Sequence, residues 1–119
     1  LPKSYRAALL QAVNAQNEKK ADEAIKWYEK AIEIAPNSPI ALNNLAWMYY
    51  ERKNPAAIEL AKKAAQLAPN SAEILDTYGW ILVENGQIAE GVEVLERANS
   101  LAKDNKEISD HLKAAKAKK

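Results

Sequence analysis

The chain has 119 residues, a single domain by length and long enough to bury a core if its elements stack. Seventeen basic residues against 16 acidic ones leave a formal net charge of +1, so the electrostatic footprint of a nucleic-acid or anionic-membrane binder is absent. The lack of cysteine excludes disulfides, zinc-thiolate sites and thiol catalysis, and no apolar run approaches the roughly 18 residues of a membrane span.

Alanine dominates and glycine occurs only three times, which favours helix throughout. The breakers predict seven helices. The first spans 3–18 and ends near Lys19-Lys20; the second spans 21–34. Ser38, a cap followed by a first-turn proline, opens the third at 39–52. Asn54-Pro55 reads as a cap plus a first-position proline and opens the fourth at 55–67. The fifth, 72–84, follows Asn70-Ser71-Ala72-Glu73, a capping residue with a glutamate three positions on that can reach back. Gly86, suited to the left-handed conformation, ends it before the sixth at 88–101. Asp104-Asn105-Lys106-Glu107 repeats the capping pattern before the seventh, 106–117. The basic run Lys113, Lys116, Lys118 and Lys119 complements the dipole of that last helix and reads as a solvated terminus.

The helices recur as a period. Ala24-Ile25 returns as Ala57-Ile58 and as Gly91-Val92, at intervals of 33 and 34 residues, and each copy has an alanine seven positions on, at Ala31, Ala64 and Ala98. A fixed period in this range signals stacked repeats. Ala12 to Ala46 is 34 residues and Ala46 to Gly79 is 33, so one residue is lost between Ala46 and Ala57, assigned to the turn Arg52-Lys53-Asn54-Pro55. The units are therefore about 3–37, 38–70 and 71–104, with a capping helix at about 105–118. The abrupt opening at Leu1-Pro2, inside a helix-pair pattern, suggests a domain excised from a longer protein.

This pattern resembles the tetratricopeptide repeat, a helix-turn-helix unit with a small residue in its first helix, alanines in its second and a proline after it. The matching residues are Leu45, Ala46, Tyr49, Ala57, Ala64 and Pro69 in the middle unit, and Tyr78, Gly79, Leu82, Gly91, Leu95 and Ala98 in the third. The first unit matches through Ala24, Tyr28, Ala31 and Pro36. The resemblance implies an all-α solenoid of three repeats plus a capping helix, seven helices wound as a right-handed superhelix. The small residues allow close helix approach. Tyr28, Ile32, Leu45, Tyr49, Leu60, Leu67, Tyr78, Leu82 and Leu95 are assigned to the core.

In such solenoids the first helix of each pair lines a concave groove. The first unit presents Arg6, Leu9, Leu10, Val13, Gln16 and Asn17 there, the second Ile40, Asn43, Asn44, Trp47, Tyr50 and Glu51, and the third Glu73, Asp76, Thr77, Trp80, Val83 and Glu84. Asp110, His111 and Ala114 face it from the last helix. The candidate partner-binding set is Asn43, Asn44, Trp47, Tyr50, Asp76, Thr77, Trp80, Val83, Glu84 and His111, in which the two indoles, 33 residues apart, form an apolar floor and the polar residues act as hooks for a peptide backbone.

No catalytic constellation, metal site or cofactor motif is present. His111 is the only histidine and its neighbour Asp110 diverges from it on the helix, while Glu73, Asp76 and Glu84 read as a solvated face.

Members of the family that grip chaperone tails do so through lysine, arginine and asparagine; here only Asn44 of that set is kept, with Leu9, Val13, Glu73 and Thr77 in place of the others. A co-chaperone role is disfavoured. The segments Leu42-Asn43-Asn44-Leu45-Ala46-Trp47 and Asp76-Thr77-Tyr78-Gly79-Trp80-Ile81-Leu82, with His111-Leu112, are instead similar to terminal repeats of bacterial envelope proteins serving exopolysaccharide export or surface-protein sorting. That resemblance implies a scaffold on the periplasmic side of the envelope; composition alone leaves the cytoplasm open.

The leading expectation is a protein-interaction module that takes a protein or peptide segment. A structural spacer or homo-oligomerising array with an empty groove is the rival, and a polysaccharide-binding module the third.

Overall fold

The computed structural model describes residues 2–118; Leu1, at the proposed excision point, and Lys119, in the basic tail, lie outside it. The described residues form seven helices and no strand: α1 (Lys3–Asn17), α2 (Ala21–Ile34), α3 (Pro39–Glu51), α4 (Ala57–Leu67), α5 (Ala72–Glu84), α6 (Ile88–Leu101) and α7 (Lys106–Lys116). Within each unit the two helices pack as a pair. Successive units join through α2 on α3, α4 on α5 and α6 on α7, and the first helices meet directly through α3 on α5 and α5 on α7. The stack measures 42 × 26 × 23 Å.

Each first helix ends in the same way. Lys19, Lys53 and Gly86 adopt φ of 62°, 58° and 90°. The following amide reaches back to Ala15, Tyr49 or Leu82 at 2.8–2.9 Å, closing the six-residue C-terminal bond of a left-handed cap. The sequence pointed to Gly86 alone; two lysines do the same work in the other units.

That bond also relocates the missing residue. Lys20, Asn54 and Gln87 are equivalent by it, yet Ala24 and Gly91 bond back four positions to Lys20 and Gln87, whereas Ala57 bonds back only three, to Asn54, at 3.1 Å. The loss therefore falls after Asn54, inside the first turn of α4, and is absorbed by a tighter turn. Asn54 Oδ1 accepts from the Ala56 amide at 2.9 Å. Helix α4 starts at Ala57 for this reason, not at Pro55.

Ser38 caps α3 as expected, whereas the other two caps shift by one residue, from Asn70 to Ser71 and from Asp104 to Asn105. Ser38, Ser71 and Asn105 accept from the amides of Ala41, Ile74 and Ile108. Glu73 and Glu107 thus stand at the second helical position, where they complement the dipole in place of reaching back from the third.

The core is continuous along the stack, with Tyr28, Leu42, Leu82, Leu95 and Ile108 the largest fully buried side chains, each contributing about 1.5–3 kcal/mol by burial. Leu67 is an exception to the expected core, at 41% exposed. It is the last residue of α4, as Leu101, 46% exposed, is of α6, and there the helix end runs past its neighbour.

In the third unit the two helices are in close contact. A Cβ added at Gly91 would sit 2.5 Å from Val83 Cγ2 and 2.8 Å from the Gly79 carbonyl oxygen. Val83 has no room to retreat, being packed with Leu95, Leu112 and Ala115. Gly91→Ala should lower stability by about 1–3 kcal/mol, read as a fall in urea midpoint at unchanged slope; an unaltered midpoint would show that the pair can separate freely. Conversely, Lys53→Gly relieves a left-handed lysine and should raise stability by about 0.5–1 kcal/mol in the same measurement.

Candidate functional site

Residues one helical turn apart on the first helix of every pair converge on one cleft. Helix α3 supplies Asn43, Asn44 and Trp47, α5 supplies Glu73, Asp76 and Thr77, α1 contributes Gln16, and α7 contributes Glu107 and His111. The cleft encloses about 220 Å³ and is lined by residues of all three units and the cap.

Its floor is a directional hydrogen-bond chain. Tyr28, at the centre of the core, donates to Gln16 Oε1 at 2.5 Å and accepts from Asn44 Nδ2 at 3.3 Å. Asn43 Nδ2 then donates to Asn44 Oδ1 at 3.4 Å, and the chain stops there, because Asn43 Oδ1 is buried with no partner. Burial raises the Tyr28 hydroxyl pKa, and the Asn44 bond opposes it.

The opposite wall is anionic. Asp76 accepts from His111 Nδ1 at 2.8 and 3.0 Å to its two oxygens, which makes Nδ1 the protonated nitrogen. Burial pushes the Asp76 carboxyl above its ordinary range; the His111 bond and charge oppose this, and the neighbouring charges of Glu107 and Glu73 add to it. Thr77 is tied down by donating to the Glu73 carbonyl at 3.2 Å.

Beside the cleft stands an aromatic wall. Trp47 lies 4.9 Å from Tyr50 between ring centroids, at 42°. The Trp80 indole donates to the Tyr50 hydroxyl at 3.1 Å, and that hydroxyl donates to Glu84 at 3.1 Å. Trp80 stacks on His111, 4.7 Å between centroids and 19° off parallel. Lys118 closes the wall, bonding Glu84 at 2.9 Å and lying 5.7 Å from the Trp80 ring centre. The Lys118 bond holds the Glu84 carboxyl below its ordinary range.

The candidate set therefore divides. Asn43, Asn44, Trp47, Asp76, Thr77 and His111 do come together. Tyr50 and Glu84 instead line a separate recess of about 620 Å³ at the shortened turn, with Asn54 and Pro55. Val83 does not face the groove: it is 3% exposed, because α7 packs over it. Trp47 and Trp80 are bridged by Tyr50 and do not form a paired floor. Asn43, Asp76 and Thr77 are deep lining residues, not projecting hooks, since the neighbouring first helices cover them. From the first unit only Gln16 reaches the cleft; Leu9 and Val13 pack into the core.

One pairing and two participants escaped the sequence reading. The Asp76–His111 pair spans 35 residues, where the sequence suggested only solvated carboxylates. Glu107 is four residues before His111 and so shares its face. Lys118, read as part of a solvated tail, lies 34 residues after Glu84, as Glu84 does after Tyr50. One period separates these partners, and that spacing was the available signal.

Because burial raises the Asp76 pKa above 3.8, the folded chain holds that proton more tightly than the unfolded one. Its stabilising contribution is full below 3.8 and is lost as pH rises through the folded value. As pH is raised from 3.8 through the folded value, the native chain should lose stability relative to Asp76→Asn. Parallel urea midpoints for the two would contradict a desolvated carboxyl.

Models of the tetratricopeptide repeat match residues 5–70 and residues 51–118. No curated protein sequence matches the chain. Among solved structures, the first TPR of Spaghetti (RPAP3) bound to the HSP90 peptide SRMEEVD is similar at a TM-score of 0.89 and 21% identity, over 97% of this chain and 92% of that one. The TPR2B domain of yeast Sti1 in complex with an Hsp70 peptide is similar at 0.89 and 21%, over 99% and 100%. An O-GlcNAc transferase mutant from Thermobaculum terrenum is similar at 0.89 and 27%, over 94% of this chain but 22% of that one. With its period, its seven helices and these matches, the chain belongs to the tetratricopeptide repeat family.

Proposed function

We propose that the chain is a non-enzymatic protein-interaction module whose groove takes an extended segment of a partner protein. The carrying observation is the single cleft lined by the first helix of every unit and by the cap, with a hydrogen-bond chain ending in an unmet acceptor. The similar Spaghetti and Sti1 structures are complexes with an HSP90 and an Hsp70 peptide, which supports a peptide segment as the ligand here. The charge here differs, since no lysine or arginine lines the cleft among the described residues. A carboxylate-terminated chaperone tail is therefore a poor ligand.

The setting we propose is a bacterial envelope export or sorting assembly, on the strength of the resemblance carried by residues 42–47 and 76–82. A polysaccharide is less well served, because Trp80 already stacks on His111 and so does not offer a second free indole face beside Trp47. A mere spacer does not account for an unpartnered buried amide oxygen.

Trp47→Ala tests the reading. Trp47 is only partly buried and its aromatic contact is with Tyr50, so the variant should keep its helical circular dichroism. Capture of partners by the immobilised chain from the native organism, followed by mass spectrometry, should weaken about tenfold or more. Capture that is unchanged in the folded variant would sink the groove as the binding surface.

A further inference from the structure

The cleft is short of hydrogen-bond donors. Asn43 is 6% exposed and lines it, and its Oδ1 has no partner. The orientation of that amide follows from the chain beneath it: Tyr28 donates to Gln16, so it accepts from Asn44, and Asn44 Oδ1 accepts from Asn43 Nδ2. The atom left without a partner is an acceptor.

The cleft is also short of positive charge. Asp76 is buried in its wall, and Glu73 and Glu107 stand at its rim with no ion pair among the described residues. The lysine nearest in sequence to Glu107, Lys106, is engaged with Asp110 at 2.9 Å. His111 is the only basic side chain in the lining, and it is already spent on Asp76. The unpaired carboxylates of Glu73 and Glu107, the Asp76 carboxylate already paired with His111 and the unpartnered oxygen of Asn43 belong to residues lining a cleft of about 220 Å³ that suits a cation donating in several directions. The described residues contain no cluster of three or more His, Asp or Glu able to hold a metal ion. A guanidinium meets the demand: it is planar, carries five donors, and stacks on aromatic faces such as that of Trp47.

Resting on the groove reading above, we propose that this cleft is the specificity pocket for an arginine side chain of the bound segment. The head group donates to Asn43 Oδ1 and Asp76, and Glu73 and Glu107 neutralise it at the rim. Such charge-assisted bonds in a partly desolvated site are the stronger kind.

Selection from a random-peptide display library on the immobilised full chain tests this. Enriched sequences should share an arginine, and their synthetic forms should shift the Trp47 indole resonance. Replacing that arginine by citrulline, which keeps the shape and removes the charge, should weaken binding about tenfold or more. The double variant Glu73→Gln, Glu107→Gln, both residues being exposed and expected to fold normally, should do the same. Groove-binding peptides that lack a basic residue, that tolerate citrulline or lysine without loss, or that bind the double variant equally would overturn the arginine pocket and leave the groove reading standing. Failure to enrich any peptide that shifts the Trp47 indole would overturn both.

Discussion

Everything in this stack depends on how closely the two helices of a pair can approach. Ala12 with Ala24, Ala46 with Ala57 and Gly79 with Gly91 put the smallest side chains at the contact, and all are buried or nearly so. Fixing that contact fixes the rotation of the first helix about its axis. Rotation in turn decides which residues point into the groove. The convergence of Asn43, Asn44, Asp76 and Thr77 on one cleft is thus a consequence of the alanines and glycines at the pair contact.

The period carries this geometry from unit to unit. It also predicts partners, because a first-helix residue meets a residue at or beside its equivalent in the next unit, at nearly constant separation. Tyr5 bonds Ser38, Tyr50 bonds Glu84 and Glu84 bonds Lys118 at separations of 33, 34 and 34 residues. The element order and the groove face were legible in the sequence for this reason: both follow from direction, and a 3.6-residue period encodes direction. Depth is another matter. Val83 occupies the same register as Tyr50, yet the smaller side chain is swallowed by α7 while the tyrosine reaches past it to Trp80. Asn43 and Asp76 likewise face as expected but sit deeper, since how far a neighbouring helix closes over a position depends on side chains elsewhere.

The shortened turn shows the same limit from another side. Counting residues revealed that one was missing between Ala46 and Ala57. Counting could not show that the left-handed cap at Lys53 survives and that the loss is taken up after it, by a three-residue bond from Ala57 to Asn54. Hydrogen bonds made the distinction. The helix-ending device is retained in all three units, whereas the helix-starting device is varied, which keeps Ala46 and Ala57 in contact despite the deletion.

The groove and the core are not separate compartments in this chain. Tyr28 is fully buried, packs with Ala12, Ala24 and Leu45, and yet its hydroxyl is the middle link between Gln16 and Asn44. The orientation of the groove amides is therefore set from inside the first unit. A buried hydroxyl must find partners or lose about 1–3 kcal/mol, so Tyr28 enforces one arrangement of Gln16 and Asn44, and Asn44 passes that arrangement to Asn43. The atypical first helix, with Gln16 where Tyr50 and Val83 stand in the later units, gains a physical role by this route: it supplies the acceptor that starts the chain. Without it the Tyr28 hydroxyl would turn toward Asn44 as a donor, the two amides would reverse, and the cleft would present a donor where it now presents an acceptor. The chemistry offered to a partner by the second and third units is thus decided by a residue of the first.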